Sequence, residues 1–243
     1  MPGNGLYMWK KLIRYLLSEP RDHIMSIFLG LLCIEVFIFG PLARAEGSMV
    51  VILNGIVFSL LLIIGVLAMT PTHIITQVAS TAIIAMAIAL RWMANLSGSS
   101  TLYLWDKVSS LAAALTFLAL VFWQVYRESP VTVHKIRGAI AAYLLMAVIF
   151  AFLYNIIELV HPGSFTLAQP YGNLQYSQVE PFLYFSVSTL TTVGFGDITA
   201  VHPIARSLVM MESIIGILYP PVLIGVLVSL HIEWLREKSG KQG

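Results

Sequence analysis

Charge is scarce in this sequence: Asp, Glu, Lys and Arg make up 11% of its 243 residues, against 58% hydrophobic residues. Domains folded in water carry about 25% charged residues, so a water-facing globular surface is excluded and the chain reads as an integral membrane protein. The mean hydropathy of +0.85 agrees. A net charge of +2 is too small to point to nucleic acid as a partner. The lone cysteine, Cys33, supports neither a disulfide framework nor a cysteine metal cluster. The six histidines, His23, His73, His134, His161, His202 and His231, have no metal-ligand spacing, and no phosphate-binding glycine loop occurs. No enzyme and no organic cofactor are expected.

What the chain does have is apolar runs of spanning length. They lie at about Ile24 to Leu42, Met49 to Met69, Ile74 to Ala94, Thr101 to Tyr126, Gly138 to Val160 and Ile204 to Trp234. Each of the first four is near the ~20 residues that cross ~30 Å of hydrocarbon at 1.5 Å per residue. The short links at 43–48, 70–73 and 95–100 make neighbouring helices antiparallel. Residues 1–23 carry Lys10, Lys11, Arg14 and Arg21 among Leu6, Trp9, Leu12, Ile13, Leu16 and Leu17, the pattern of an amphipathic helix lying at the interface. Ala43-Arg44-Ala45 fits a signal-peptide cleavage site. Against cleavage stand Glu35 within the first run, the length of that run, and Glu19 and Asp22 before it.

Ten of the fourteen Lys and Arg fall before the first run, between the fourth and fifth, or after the sixth. Both termini are therefore expected on the cytoplasmic side of the cell (inner) membrane. Glu35, Arg91, Asp106 and Lys107 are the charges within or near the first four spans, where an isolated charge is costly. By depth, Glu35 and Arg91 are expected to form a structural ion pair. Asn95-Leu96-Ser97 fits a glycosylation acceptor, a triplet frequent by chance.

One stretch breaks the apolar pattern. Ser188-Thr189-Leu190-Thr191-Thr192-Val193-Gly194-Phe195-Gly196-Asp197 holds two glycines, a run of hydroxyls and an acid between the fifth and sixth runs. Glycines alternating with larger residues let the backbone adopt dihedrals that L-residues resist, turning consecutive carbonyls to one side, where they can replace the water shell of a cation. Non-helical backbone at membrane depth must be buried in protein or line a water-filled path. Upstream, Pro181 suits the first position of a short helix from Phe182 to about Thr191, because its missing N–H costs nothing there.

Thr192-Val193-Gly194-Phe195-Gly196 resembles the selectivity filter of potassium channels, usually Thr-Val-Gly-Tyr-Gly, with Phe at the Tyr position as in some members. Asp197 matches the family's usual Gly-Asp ending. The resemblance is strong from about Arg137 to Trp234 and weak before it. It implies an all-α membrane protein with six transmembrane helices, a re-entrant pore helix and filter, and a homotetrameric pore in the lipid bilayer. Residues 24–130 would then form a four-helix sensor-like domain, 131–235 the pore domain and 236–243 a short cytoplasmic tail with no ligand-binding domain.

The ions would be potassium, held by Thr192, Val193, Gly194 and Phe195, with Gly196 completing the filter. Tyr184, Phe185, Ser188, Thr191 and Asp197 would support it, Ser188 standing where some members have a Glu. Gly216, Pro220 and Pro221 would bend the inner helix and shape a gate. Glu212, a lone acid in that helix, is expected either to bond hydroxyls among Ser186, Ser188 and Thr189, or to stay protonated, or to face cavity water. A voltage sensor needs ~3–4 cations on one helix, and the segment from Leu111 to Tyr126 has none. The implied function is passive, potassium-selective conduction without intrinsic voltage sensing. The alternatives are a nonselective cation channel of the same fold, and a secondary transporter, for which residues 24–126 show no second glycine-interrupted segment comparable to the one at 188–197.

Overall fold

A computed structural model describes residues 20–39, 48–68, 74–97, 99–126, 133–167 and 179–240. The expected interfacial helix of residues 1–23 lies almost entirely outside these residues. The described chain is mostly helical: α1 (Pro20–Ile34) continued by a π-helical turn (Glu35–Phe39), α2 (Ser48–Ala68), α3 (Ile74–Ser97), α4 (Ser100–Tyr126), α5 (Val133–Val160), α6 (Glu180–Leu190) and α7 (Pro203–Gly240). Four described helical segments are long and apolar enough to cross a membrane: Val78–Ser97, Ser100–Trp123, Lys135–Val160 and Pro203–Leu230. Met25–Ile38 and Ile52–Gly65 are shorter apolar helices.

The described chain fits the all-α expectation, with one short strand pair beside the helices. Phe165–Leu167 (β1) and Ile198–Ala200 (β2) pair antiparallel, Phe165 opposite Ala200 and Leu167 opposite Ile198. Three-residue strands are too short for the period-2 alternation that announces a strand. The pair staples the segment after α5 to the residues just beyond Asp197.

α5 is the centre of the fold, packing against α1, α4, α6 and α7. Ala139, Ala141, Ala142, Ala147 and Ala151 along it are almost wholly buried, and such small side chains let helix backbones approach closely in lipid. The larger core cluster joins α5 to Met25, Phe28, Leu32, Phe58, Leu62, Phe117 and Val121 of the first four helices.

The expected Glu35–Arg91 pair is not formed. Arg91 Nε donates instead to Asp106 Oδ1 at 2.7 Å, Lys107 Nζ donates to Asp106 Oδ2 at 2.9 Å, and the Arg91 guanidinium lies 4.1 Å over the Phe58 ring. Glu35 sits on the π-helical turn with one buried carboxylate oxygen lacking a hydrogen-bond partner. The reason is arithmetic: α3 and α4 are antiparallel about the link at 98–99, and positions 91 and 106 are equally far from it. Breaking a buried pair by removing one partner costs roughly 3–5 kcal/mol, so Arg91→Ala is expected to lower the thermal midpoint of the detergent-solubilised protein markedly. An unchanged midpoint would show that this pair does not hold α3 to α4.

Candidate functional site

The site is built from the end of α6 and the six residues after it. Pro181 occupies the first turn of α6, as its lack of an N–H favours, and Thr191 closes the helix. The backbone then turns back on that end. Thr192 N–H donates to the Thr189 carbonyl at 2.9 Å, Val193 and Gly194 N–H donate to the Ser188 carbonyl at 2.9 and 3.2 Å, and Phe195 N–H reaches Ser188 Oγ at 3.4 Å.

Four consecutive N–H groups thus point into the last turn of α6. Described peptides are all trans, and in a trans peptide the carbonyl of one residue points opposite the N–H of the next. The carbonyls of Thr191, Thr192, Val193 and Gly194 therefore face away from the helix. φ is positive at every second residue: 62° at Thr192, 56° at Gly194 and 79° at Gly196. Glycine takes this region without penalty, whereas Thr192 adopts it against its Cβ, which the sequence did not announce. Residues 191–196 are all exposed in the single chain. The C-terminal, partially negative end of α6 lies beside them and favours a cation.

The supporting residues divide. Ser188, 6% exposed, receives three of the four N–H groups through its carbonyl and hydroxyl. Thr191 Oγ1 bonds back to the Val187 carbonyl at 2.7 Å. The Tyr184 ring stacks on Phe195 with centroids 5.8 Å apart and planes 9° from parallel. Phe185 turns the other way, into the aromatic cluster with Tyr154 and Phe165. Asp197 Oδ1 accepts the N–H of its own neighbour Ile198 at 3.1 Å.

Glu212 is fully buried. It accepts hydrogen bonds from the hydroxyls of Ser186 on α6 and Tyr154 on α5, and Ser186 Oγ also lies 2.8 Å from the Ala147 carbonyl. Ser186 is among the hydroxyls expected; Tyr154 is new, and its signal was a buried tyrosine hydroxyl that needs a partner. Two half-buried tyrosines also find partners: Tyr143 Oη donates to the Leu190 carbonyl at 3.1 Å and Tyr219 Oη to the Ala139 carbonyl at 2.8 Å.

α7 is a single helix from Pro203 to Gly240, continuing through Pro220 and Pro221, which leave the Gly216 and Ile217 carbonyls without their usual helical N–H. Gly216 lies against the end of α6: a Cβ there would stand 2.0 Å from the Leu190 oxygen. Near the C-terminal end of α5, Glu158 is occupied by the Gly163 and Phe165 N–H groups at 2.8 and 3.2 Å, and Glu180 is only 9% exposed.

Residues 138–233 match the family model described as "Ion channel". Among curated proteins, the chain is 33% identical over 93 residues to the inward rectifier potassium channel Kirbac3.1 of Paramagnetospirillum magnetotacticum, covering 37% of this chain and 26% of that one. It is 31% identical over 83 residues to Protein LctB of Bacillus caldotenax, covering 34% of this chain and 61% of that one. The chain thus spans about a quarter of the first relative's length and about three fifths of the second's. No solved structure matches. The matched segment contains α6, the carbonyl row and Glu212 together, so over residues 138–233 this helical membrane protein is similar to an ion channel domain, and over part of its length to an inward rectifier potassium channel.

Proposed function

We propose that the protein is a potassium-selective channel that conducts passively, with a pore formed by four copies and without intrinsic voltage sensing. The observation that carries this reading is the row of carbonyls from Thr191 to Gly194, turned away from α6 by four N–H groups anchored in its last turn. With Phe195 and Gly196 following, such a row can exchange for the hydration shell of potassium at Thr192, Val193, Gly194 and Phe195.

One chain supplies one row, and an ion must be surrounded, so a closed cyclic assembly is required; four is the number the family resemblance implies. In keeping with this, 61% of the α5 span is buried within the chain but only 6% of the α7 span. α7 serves as inner helix, α6 as pore helix, and all six apolar helices cross the membrane with both termini in the cytoplasm. Against voltage sensing, α4 has no Lys or Arg from Leu111 onward, and Lys107 is already bound to Asp106. One charge crossing 100 mV is worth about 2.3 kcal/mol, so steep gating needs several.

Recordings in planar bilayers under opposed potassium and sodium gradients test the reading, with native mass spectrometry in mild detergent for assembly. A reversal potential following potassium, a tetramer and a shallow conductance–voltage curve are expected. A conducting monomer or dimer, or equal sodium and potassium permeability, would sink it, the latter in favour of a nonselective channel. Steep voltage dependence would remove the sensorless part alone.

A further inference from the structure

Resting on the channel reading, we infer that Glu212 is a positioning residue for the carbonyl row, through which α7 sets the geometry of the filter and hence its selectivity. Two contacts tie α7 to α6. Glu212 accepts from Ser186, and four residues further along both helices Gly216 lies against Leu190. Four residues are about one helical turn, roughly 6 Å of rise. The helices are therefore matched in register over the last turn of α6, and a shift or rotation of α7 at this level has to carry that turn with it.

The third anchor is the Tyr154 hydroxyl on α5, so the carboxylate joins three helices at one buried point. The turn it holds is the one that holds the filter. Ser188, between Ser186 and Leu190, receives the N–H groups of Val193, Gly194 and Phe195. The chain of contacts is short and direct: Glu212 to Ser186, the helical turn from Ser186 to Leu190, Ser188 to the filter N–H groups, and those N–H groups to the direction of the carbonyls. In lipid the carboxylate has no water to fall back on, so losing either hydroxyl leaves it to seek another donor and to move the helix that carries it.

Reversal potentials of single channels under opposed potassium and sodium gradients test the inference, alongside the amount of assembled protein. Glu212→Gln keeps the size of the side chain but has one acceptor oxygen for two hydroxyls. Ser186→Ala leaves the carboxylate and removes its link to α6, and Tyr154→Phe removes the link to α5. Loss of the hydrogen bond between Glu212 and Ser186 is expected to lower the potassium-to-sodium permeability ratio about tenfold in Glu212→Gln and in Ser186→Ala. The double variant is expected to be no worse than Glu212→Gln alone, because both act through one contact.

A purely structural role would reduce the number of channels and leave the ratio per channel unchanged. That result in Glu212→Gln, or in Ser186→Ala and Tyr154→Phe where Glu212→Gln fails to assemble, would overturn the inference while the channel reading stands. Wild-type protein that passes no potassium would overturn both.

Discussion

Gly194→Ala and Gly196→Ala are each expected to abolish potassium-selective current while leaving the assembled protein largely intact. Neither glycine is crowded: a Cβ added at either would meet nothing within 4 Å. The penalty is conformational. φ is 56° at Gly194 and 79° at Gly196, where an L-residue pays about 1–2 kcal/mol per chain, or about 4–8 kcal/mol together in the proposed assembly of four. The backbone can shed that strain by rotating the adjoining peptides. Around Gly194 the same rotation draws the Val193 to Phe195 N–H groups away from Ser188 and swings their carbonyl partners off the conduction path. Thr192, at φ 62°, already bears such a cost, so a second strained residue in the same short row is poorly tolerated. Reversal-potential measurements on either variant check this. Wild-type selectivity in Gly194→Ala would show that the row is not the filter.

How far the sequence could be read depended on whether a feature was local. The turn after α6, the start of that helix at Pro181 and the reach of Glu212 to Ser186 all follow from residues whose chemistry has few outlets: glycine where φ is positive, proline where no N–H is needed, an acid where there is no water. Positive φ at Thr192 was not legible, because threonine does not prefer it; the pull of the Thr189 and Ser188 carbonyls on successive N–H groups imposes it. The β1–β2 pair brings together residues more than thirty positions apart and leaves no pattern in three residues.

The charges within the first four helices were legible but misread. Depth alone suggested Glu35 for Arg91, whereas counting outward from the 98–99 link leads to Asp106, which lies in the neighbouring antiparallel helix at the same level. Glu158 orders the turn after α5 through two backbone N–H groups, an engagement no hydropathy pattern records.

Gly216→Ala is expected to disrupt the protein more than any other single methyl addition in α7. A glycine in a channel's inner helix suggests a bend, and on that reading alanine should spare assembly and hinder opening. The contacts argue for close approach instead. The new Cβ would lie 2.0 Å from the Leu190 oxygen, 2.8 Å from its carbonyl carbon and 3.0 Å from its Cα. All three are backbone atoms, so no side chain can swing aside, and either α7 must retreat or the end of α6 must be pushed. That carbonyl also accepts the Tyr143 hydroxyl, which a displaced α6 would lose. Overpacking typically costs 1–3 kcal/mol per site and about the upper end or more is expected against backbone. Gly225 is the control, since a Cβ there meets nothing within 4 Å and alanine gains about 1 kcal/mol of helix propensity. Thermal unfolding and tetramer yield should fall sharply in Gly216→Ala and hold or rise in Gly225→Ala, with residual Gly216→Ala channels poorly selective because the base of the filter has moved. Two variants of equal stability, with Gly216→Ala merely opening less often, would restore the bend and remove the close approach as the reason for this glycine.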